Sequence, residues 1–187
     1  MTLEATELDL DEMQLVIFDL AAETYGVDIG SVREIIRVQE ITQVPRTPDF
    51  VEGVINLRGK VIPVIDLRRR FGFRSTEDTK DTRIVVVDIG GFDIGVVVDA
   101  VTEVLRLSSE AVEPPTGVIT TSDSAFLLGI AKLENRLIIL LDLKEALLSL
   151  DHLPDYAESV SHMDEEIAET DLSGEPDGVL EESNLVS

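Results

Sequence analysis

Few side chains in this sequence are of types and spacings that could do covalent chemistry, and the first to weigh are two glutamates. Glu34 stands two positions after Val32, and Glu103 two positions after Val101, in stretches that otherwise resemble each other. Two carboxylates suffice for a glycosidase-like mechanism, one as acid and the other as base or nucleophile. Nothing else in the chain supports that use, so each is read as half of a structural ion pair. Both histidines, His152 and His162, lie near the C-terminus, and the body therefore lacks the usual general base of neutral pH. No GxSxG, GxxxxGK[ST] or GxGxxG motif occurs, and there is no cysteine or metal-spaced cluster. No metal or cofactor is expected, and catalysis ranks below binding. Arg58 is the side chain best suited to recognition. It stands between Leu57 and Gly59, where a guanidinium on a tight turn can grip a carboxylate with both arms, either Glu34 or one on a partner. The Arg68-Arg69-Arg70 run is read as a solvated turn after a strand.

The elements that must position these residues centre on Gly53–Leu67. Two β-branched runs, Val54–Leu57 and Val61–Ile65, flank Arg58-Gly59-Lys60, which predicts a hairpin. Before it, Thr47 and Pro48 resemble a helix start, which predicts a short turn over Pro48–Glu52 closed by Gly53 in a left-handed conformation. After it, Asp66 is placed to cap a turn over Leu67–Phe71, ended by Gly72.

Upstream, Gln14–Leu20 and Tyr25–Ile29 read as a hairpin joined through Ala21–Thr24. Ser31–Val38 fits a capped helix or a continuing strand, and Ile41–Val44 a short extended piece ended by Pro45. Downstream, Arg74–Thr82 is a loop, and Arg83–Ile89 and Phe92–Val98 form a hairpin about Gly90-Gly91. Ser108–Glu113 reads as a helical turn stopped by Pro114-Pro115, and residues 116–125 as a Ser/Thr-rich loop. Phe126–Leu133 and Arg136–Leu141 make a last hairpin about Glu134-Asn135, and Asp142 caps a helix over Leu143–Leu150.

An internal repeat organises these pieces. Shifted by 69 residues, Leu15–Leu20 falls on Ile84–Ile89, and Gly26, Val32, Glu34 and Arg37 fall on Gly95, Val101, Glu103 and Arg106. Shifted by 76, Gly53, Leu57, Ile62, Asp66 and Leu67 fall on Gly129, Leu133, Ile138, Asp142 and Leu143, so the second copy carries a loop seven residues longer. Two copies of one small β unit predict an all-β pair of closed barrels, the first over about residues 13–75 and the second over about 80–150. Whether the barrels exchange strands is not decided by the repeat. Pro63 breaks the symmetry where the second copy has Ile139. A proline cannot donate to a ladder, so it suits an edge or bulge turned toward a partner or solvent.

Charge narrows the partners. The 187 residues carry a formal charge of −23. Five acidic groups and no basic one fall in residues 1–12, and twelve acidic groups with no Lys or Arg fall in residues 151–187, leaving −6 for residues 13–150. Both ends are expected to be disordered, and the C-terminal one dispensable for binding. Nucleic acid is excluded, because it requires a clustered positive surface. No apolar run approaches the roughly 18 residues of a membrane span, and no secretory signal stands at the N-terminus. A soluble intracellular protein is expected.

Several stretches together carry a resemblance. They are the sequence from Phe18 onward, Tyr25-Gly-Val-Asp-Ile29, Val32-Arg-Glu-Ile35, Pro45-x-x-Pro48, Gly53-Val-Ile-Asn-Leu-Arg-Gly-x-Val-Ile-Pro-Val-Ile-Asp-Leu67, Gly95-x-Val-Val-Asp99-x-Val101 and Leu140-Leu-Asp-Leu143. Over about residues 13–150 the chain resembles the CheW family, the coupling proteins of bacterial and archaeal chemotaxis. The resemblance implies two five-stranded SH3-like barrels with short helices and a C-terminal helix. It implies no enzymatic activity, and a cytoplasmic scaffold in arrays with membrane receptors. The implied partners are the cytoplasmic tip of a chemoreceptor, the regulatory domain of the histidine kinase CheA, and other CheW-like proteins in rings. By position, Val32, Glu34, Gly53, Arg58 and Val101 are implied to face the receptor, with Glu34 and Arg58 paired. Lys60, Val61, Pro63, Ile94 and Val96 are implied to face the kinase. Two alternatives stand beside this reading: a CheW-like adaptor of another chemosensory pathway, such as one for surface motility, and a carboxylate enzyme built on Glu34 and Glu103. No receiver, kinase or phosphotransfer segment accompanies the motifs.

Overall fold

The computed structural model describes residues 12–116 and 125–148. The acidic ends and most of the Ser/Thr-rich loop lie outside the described residues. Within them the chain is mostly strand: β1 Glu12–Leu20, β2 Glu23–Asp28, β3 Val32–Arg37, β4 Val51–Leu57, β5 Lys60–Asp66, β6 Arg83–Ile89, β7 Phe92–Val98, β8 Ala100–Ser108, β9 Val112–Glu113, β10 Leu127–Leu133 and β11 Arg136–Leu141. Two short helices follow the second and last hairpins, α1 Leu67–Arg70 and α2 Leu143–Leu148. No helix among the described residues is long and apolar enough to cross a membrane.

The four hairpins form where β-branched runs flank two-residue turns. Asp66 caps α1 by accepting from Arg68 N at 2.9 Å, and Asp142 caps α2 through Glu145 N at 3.1 Å. Two local expectations change, at Pro48–Glu52 and Ser108–Glu113, and the alternatives left open at Ser31–Val38 resolve. Pro48–Glu52 is not helical: a turn closed by Val51 N donating to Pro48 O leads directly into β4, which begins at Val51. Ser31–Val38 resolves as strand β3, entered through a 3-10 turn over Ile29–Ser31 that Asp28 caps. The second-copy counterpart is strand β8, followed by a 3-10 turn over Ser109–Ala111 and then β9.

The strands form two sheets, β8-β1-β2-β11-β10-β9 and β3-β6-β7-β5-β4. A boundary near residues 75–80 therefore separates the repeats but not the sheets, which corrects the barrel limits given above. Each repeat exchanges strands with the other, and the register shows the exchange to be symmetric. Val32 of β3 lies opposite Val87 of β6, and its repeat mate Val101 of β8 lies opposite Phe18 of β1. Likewise Val64 of β5 runs parallel to β7 beside Gly95, while Leu140 of β11 runs parallel to β2 beside Gly26.

Both sheets curl toward closure at a glycine. Thr42 bridges Val54, with backbone hydrogen bonds of 2.8 Å in each direction, and in the second copy Glu113 pairs with Ile130. Gly53 sits beside this seam at a bulge with φ +143°, and a Cβ there would lie 2.1 Å from Thr42 O. At Gly129 a Cβ would lie 2.7 Å from Glu113 O. Each closure needs a backbone approach that no side chain permits.

Each sheet encloses its own apolar cluster. Leu15, Ile17, Leu107, Ala131, Ile138 and Leu140 fill the first, and Ile55, Ile62, Val64, Ile84, Val86 and Val97 the second. A third and larger cluster is shared. It takes Val16, Phe18, Leu20, Tyr25 and Val27 from one sheet, Ile65, Val85, Val87, Ile89 and Val96 from the other, and Leu143 and Leu147 from α2. Strands β1, β6 and β7 are thus buried on both faces, which explains their near-continuous apolar runs.

Candidate functional site

Arg58 stands at the tip of the β4–β5 hairpin, in a two-residue turn with Gly59 in which both φ angles are positive, 54° and 83°. The pattern suits a tight hairpin, but a residue with a Cβ resists it. Asn56 braces the turn by accepting from Gly59 N at 2.8 Å. The guanidinium grips Glu34 of β3 with both arms, Nη1 to Oε2 at 2.7 Å and Nη2 to Oε1 at 2.9 Å. This is the expected bidentate pair. Three-quarters of the Arg58 side chain stays exposed while Glu34 is largely covered. The hydrogen bonds to Glu34 and then its charge hold the Arg58 pKa above the ordinary arginine value.

The repeat suggests that the second copy, with Glu134 in place of Arg58, lacks such a pair. It does not lack one: Glu103 meets Arg136, which stands two positions after Glu134. A carboxylate on β3 or β8 gripped from a neighbouring hairpin is common to both sheets. What is peculiar to the first copy is the left-handed arginine, because neither Glu134 nor Asn135 has a positive φ. The two glutamates lie on different sheets, each held by an arginine, which gives no support to a paired-carboxylate enzyme.

Val32 and Val101 occupy repeat-related positions at the starts of β3 and β8. Both are half-buried and pack against the shared cluster. Gly53 is buried in the seam and offers no side-chain surface. Among the residues implied to face a kinase, Lys60 is exposed and donates to Asp93 at 2.7 Å. Asp93 also faces Arg33, which pairs with Asp88. Val61 and Pro63 are half-buried on β5. The β7 partners of β5 begin only at Val64, so Pro63 stands outside that ladder, while Ile139 is inside its own. Ile94 and Val96 are a correction. They are 5% and 1% exposed and belong to the shared cluster, because β7 is covered on both faces and cannot present them.

The arginine run is a second correction. Arg68 is only 3% exposed and is the hub of a polar network. Its fork meets fully buried Asp66 at 3.0 and 3.1 Å, and Nη1 donates to Thr76 at 2.9 Å and to Asp99 at 3.1 Å. Burial works against the charge, but the Asp66 hydrogen bonds and charge outweigh it and the pKa is raised. Arg69 pairs with Glu52 at 3.1 Å. Burial lifts the Glu52 pKa above its ordinary value, and the Arg69 charge only partly opposes this. Arg70 donates through Nε to Ala146 O of α2 and lies over the Phe50 ring at 5.8 Å. Only one part of this network has a local sequence signal, the N-cap Asp66 two residues before Arg68; Asp99 reaches the same guanidinium from 31 residues away.

Comparison with known proteins agrees with this architecture. The family model described as the CheW-like domain matches residues 14–151. A chemotaxis protein CheW of Klebsiella aerogenes is 38% identical over 136 residues, covering 73% of this chain and 82% of that one. Its counterpart in Thermotoga maritima is 33% identical over 137 residues, covering 72% and 87%. The crystal structure of the scaffolding protein TtCheW from Thermoanaerobacter tengcongensis superimposes with a TM-score of 0.67 at 47% identity, over 72% of this chain and 91% of that one. With two strand-exchanged barrels and a match across nearly all of the described residues, the chain belongs to the CheW-like domain family.

Proposed function

We propose that this protein is a chemotaxis scaffold that couples the cytoplasmic tip of a chemoreceptor to the histidine kinase CheA, in the cytoplasm beside receptor arrays. Family membership supports the adaptor role. The single observation that favours a receptor-facing site is the matching placement of Val32 and Val101. One stands on each sheet at matching register, both half-buried over the shared cluster, with the Glu34–Arg58 clasp beside the first. Two valines and a braced guanidinium suit a partner that offers apolar side chains and a carboxylate or backbone carbonyl. The kinase reading narrows to Lys60, Val61 and Pro63, which retain accessible surface at one end of the second sheet. Rings with other CheW-like proteins follow if the equivalent end of the other sheet binds a similar partner.

The test is a binding assay of the full chain against a soluble receptor cytoplasmic fragment and the CheA regulatory domain, singly and together. Both are expected to bind without displacing each other. Binding should persist at moderate salt, because apolar and β-sheet contacts are not screened as exposed charges are beyond about 8 Å. Competition between the two partners, or collapse of both complexes on a modest rise in salt, would refute separate apolar sites.

A further inference from the structure

Asp99 marks the crossing from one sheet to the other: β7 ends at Val98 and β8 begins at Ala100. Its carboxylate is held from both sides of that crossing. Oδ1 accepts from Arg68 Nη1 at 3.1 Å, and Arg68 belongs to α1, which continues from β5 of the second sheet. Oδ2 accepts from Ala21 N at 2.8 Å, and Ala21 lies in the β1–β2 turn of the first sheet. The Asp99 backbone N–H adds a bond to Asp19 O at 3.0 Å.

Both ends of this strut are themselves fixed. Arg68 is locked on the buried Asp66 fork and on Thr76. Ala21 and Ala22 are held at φ 50° and 69°, a conformation that a residue with a Cβ resists unless its surroundings impose it. The Asp99 carboxylate, by anchoring the Ala21 N–H, is such an imposition. Its side chain keeps about a third of its surface exposed, so it is not buried merely to fill space.

We propose that Asp99 is a positioning residue for the receptor-facing site, its carboxylate acting as the strut that sets the angle between the sheets and hence the spacing of Val32 and Val101. This rests on the receptor reading above. Val101 is two residues beyond Asp99 on β8, and Val32 stands on β3 of the other sheet. A binding site that takes one valine from each sheet is only as well defined as the angle between them. Apolar packing holds the sheets together without direction, whereas a carboxylate shared between a guanidinium fork and a backbone N–H has a fixed geometry.

Asp99→Asn tests the strut, because its amide oxygen can still accept from Ala21 N while the Arg68 arm faces no carboxylate. Affinities of the full chain for the receptor fragment and for the CheA regulatory domain are measured on both forms. Receptor affinity is expected to fall about tenfold with CheA affinity retained. Parallel loss of both affinities, or receptor affinity unchanged in the folded variant, overturns the proposal. Asp99→Glu, which keeps the charge but lengthens the strut, should show the same split, and wild-type receptor binding by it also overturns the proposal. The strut is read separately from spin labels at Ile35→Cys and Val104→Cys, exposed repeat mates on the two sheets of a cysteine-free chain. Asp99→Asn should broaden their distance distribution, and an unaltered distribution refutes the strut. If the unmodified chain does not bind the receptor fragment, the receptor reading falls, and the label distances alone then decide the strut.

Discussion

At the scale of single residues, Arg58 combines an exposed guanidinium, a bidentate carboxylate and a left-handed backbone that no repeat mate shares. A strained turn persists where its surroundings impose it, and such residues gather at working surfaces. Arg58→Ala is expected to weaken receptor coupling while leaving the melting temperature within a few degrees of the parent, because an exposed pair adds little to stability. The exchange Arg58→Glu with Glu34→Arg should recover stability better than binding. Thermal melts and receptor affinity on the singles and the double decide this. Outright unfolding by Arg58→Ala would make the residue structural, and no change in either would leave it a solvated turn. Gly53 makes the opposite prediction. A methyl there meets Thr42 O at 2.1 Å in a left-handed backbone, so Gly53→Ala should cost at least about 3 kcal/mol in chemical denaturation. Gly59→Ala meets open space and should cost only about 1–2 kcal/mol. Equal costs at the two sites would deny the closed seam.

At the scale of elements, α1 shows how four helical residues can organise a region. Removing the Arg68 guanidinium takes away the closest charge partner of the buried Asp66 and leaves it only Arg69 at 3.7 Å, so Arg68→Ala is expected to destabilise by about 3 kcal/mol. Its repeat mate Lys144 is exposed on α2, and Lys144→Ala should be nearly neutral in the same denaturant titration. A small effect at Arg68 would mean that the network is loosely held. Glu52, which touches this network through Arg69, gives a pH signature. Its folded pKa lies above the unfolded one, so between the two the native state holds a proton that the unfolded chain has lost. Its contribution to stability is therefore most favourable below the unfolded pKa and declines as pH rises through the folded one. Glu52→Gln should flatten that part of the stability–pH profile. An unaltered profile would show that another group titrates there.

At the scale of the whole molecule, the exchanged strands make the two barrels one cooperative unit. A fragment of residues 12–78 keeps the β1–β2 and β4–β5 pairs but lacks β8 and β11, which flank β1 and β2 in one sheet, and β6 and β7, which pair with β3 and β5 in the other. It also loses half of the shared cluster. It is expected to show no cooperative melt by circular dichroism, while the full chain melts in a single transition. A stable fragment with its own transition would mean that each repeat closes independently.

The hairpins, the caps at Asp66 and Asp142 and the repeat were legible because each depends on residues near in sequence or on a motif whose spacing is local. The residues alone left Glu34 or a partner's carboxylate open for Arg58; the family resemblance implied the pair, which joins β3 and the β4–β5 hairpin from opposite ends of their sheet. Alternating β-branched residues around Arg58-Gly59 or Gly90-Gly91 fold back on themselves wherever the hairpin is placed. The pairing between hairpins was not legible, and the reason is the repeat itself. When Val32 and Val101, or Gly26 and Gly95, have similar neighbours, within-copy and between-copy pairing satisfy the same pattern. Only the assembled sheets select the exchanged one. Burial followed the same division. The continuous apolar run of β7 is compatible with one covered face or two, so whether Ile94 and Val96 face a partner or the shared cluster depends on the opposing sheet. The arginine run was decided in the same way. A charged turn is solvated unless carboxylates distant in sequence converge on it, and Asp99 reaches Arg68 across 31 residues only because β7 ends beside α1.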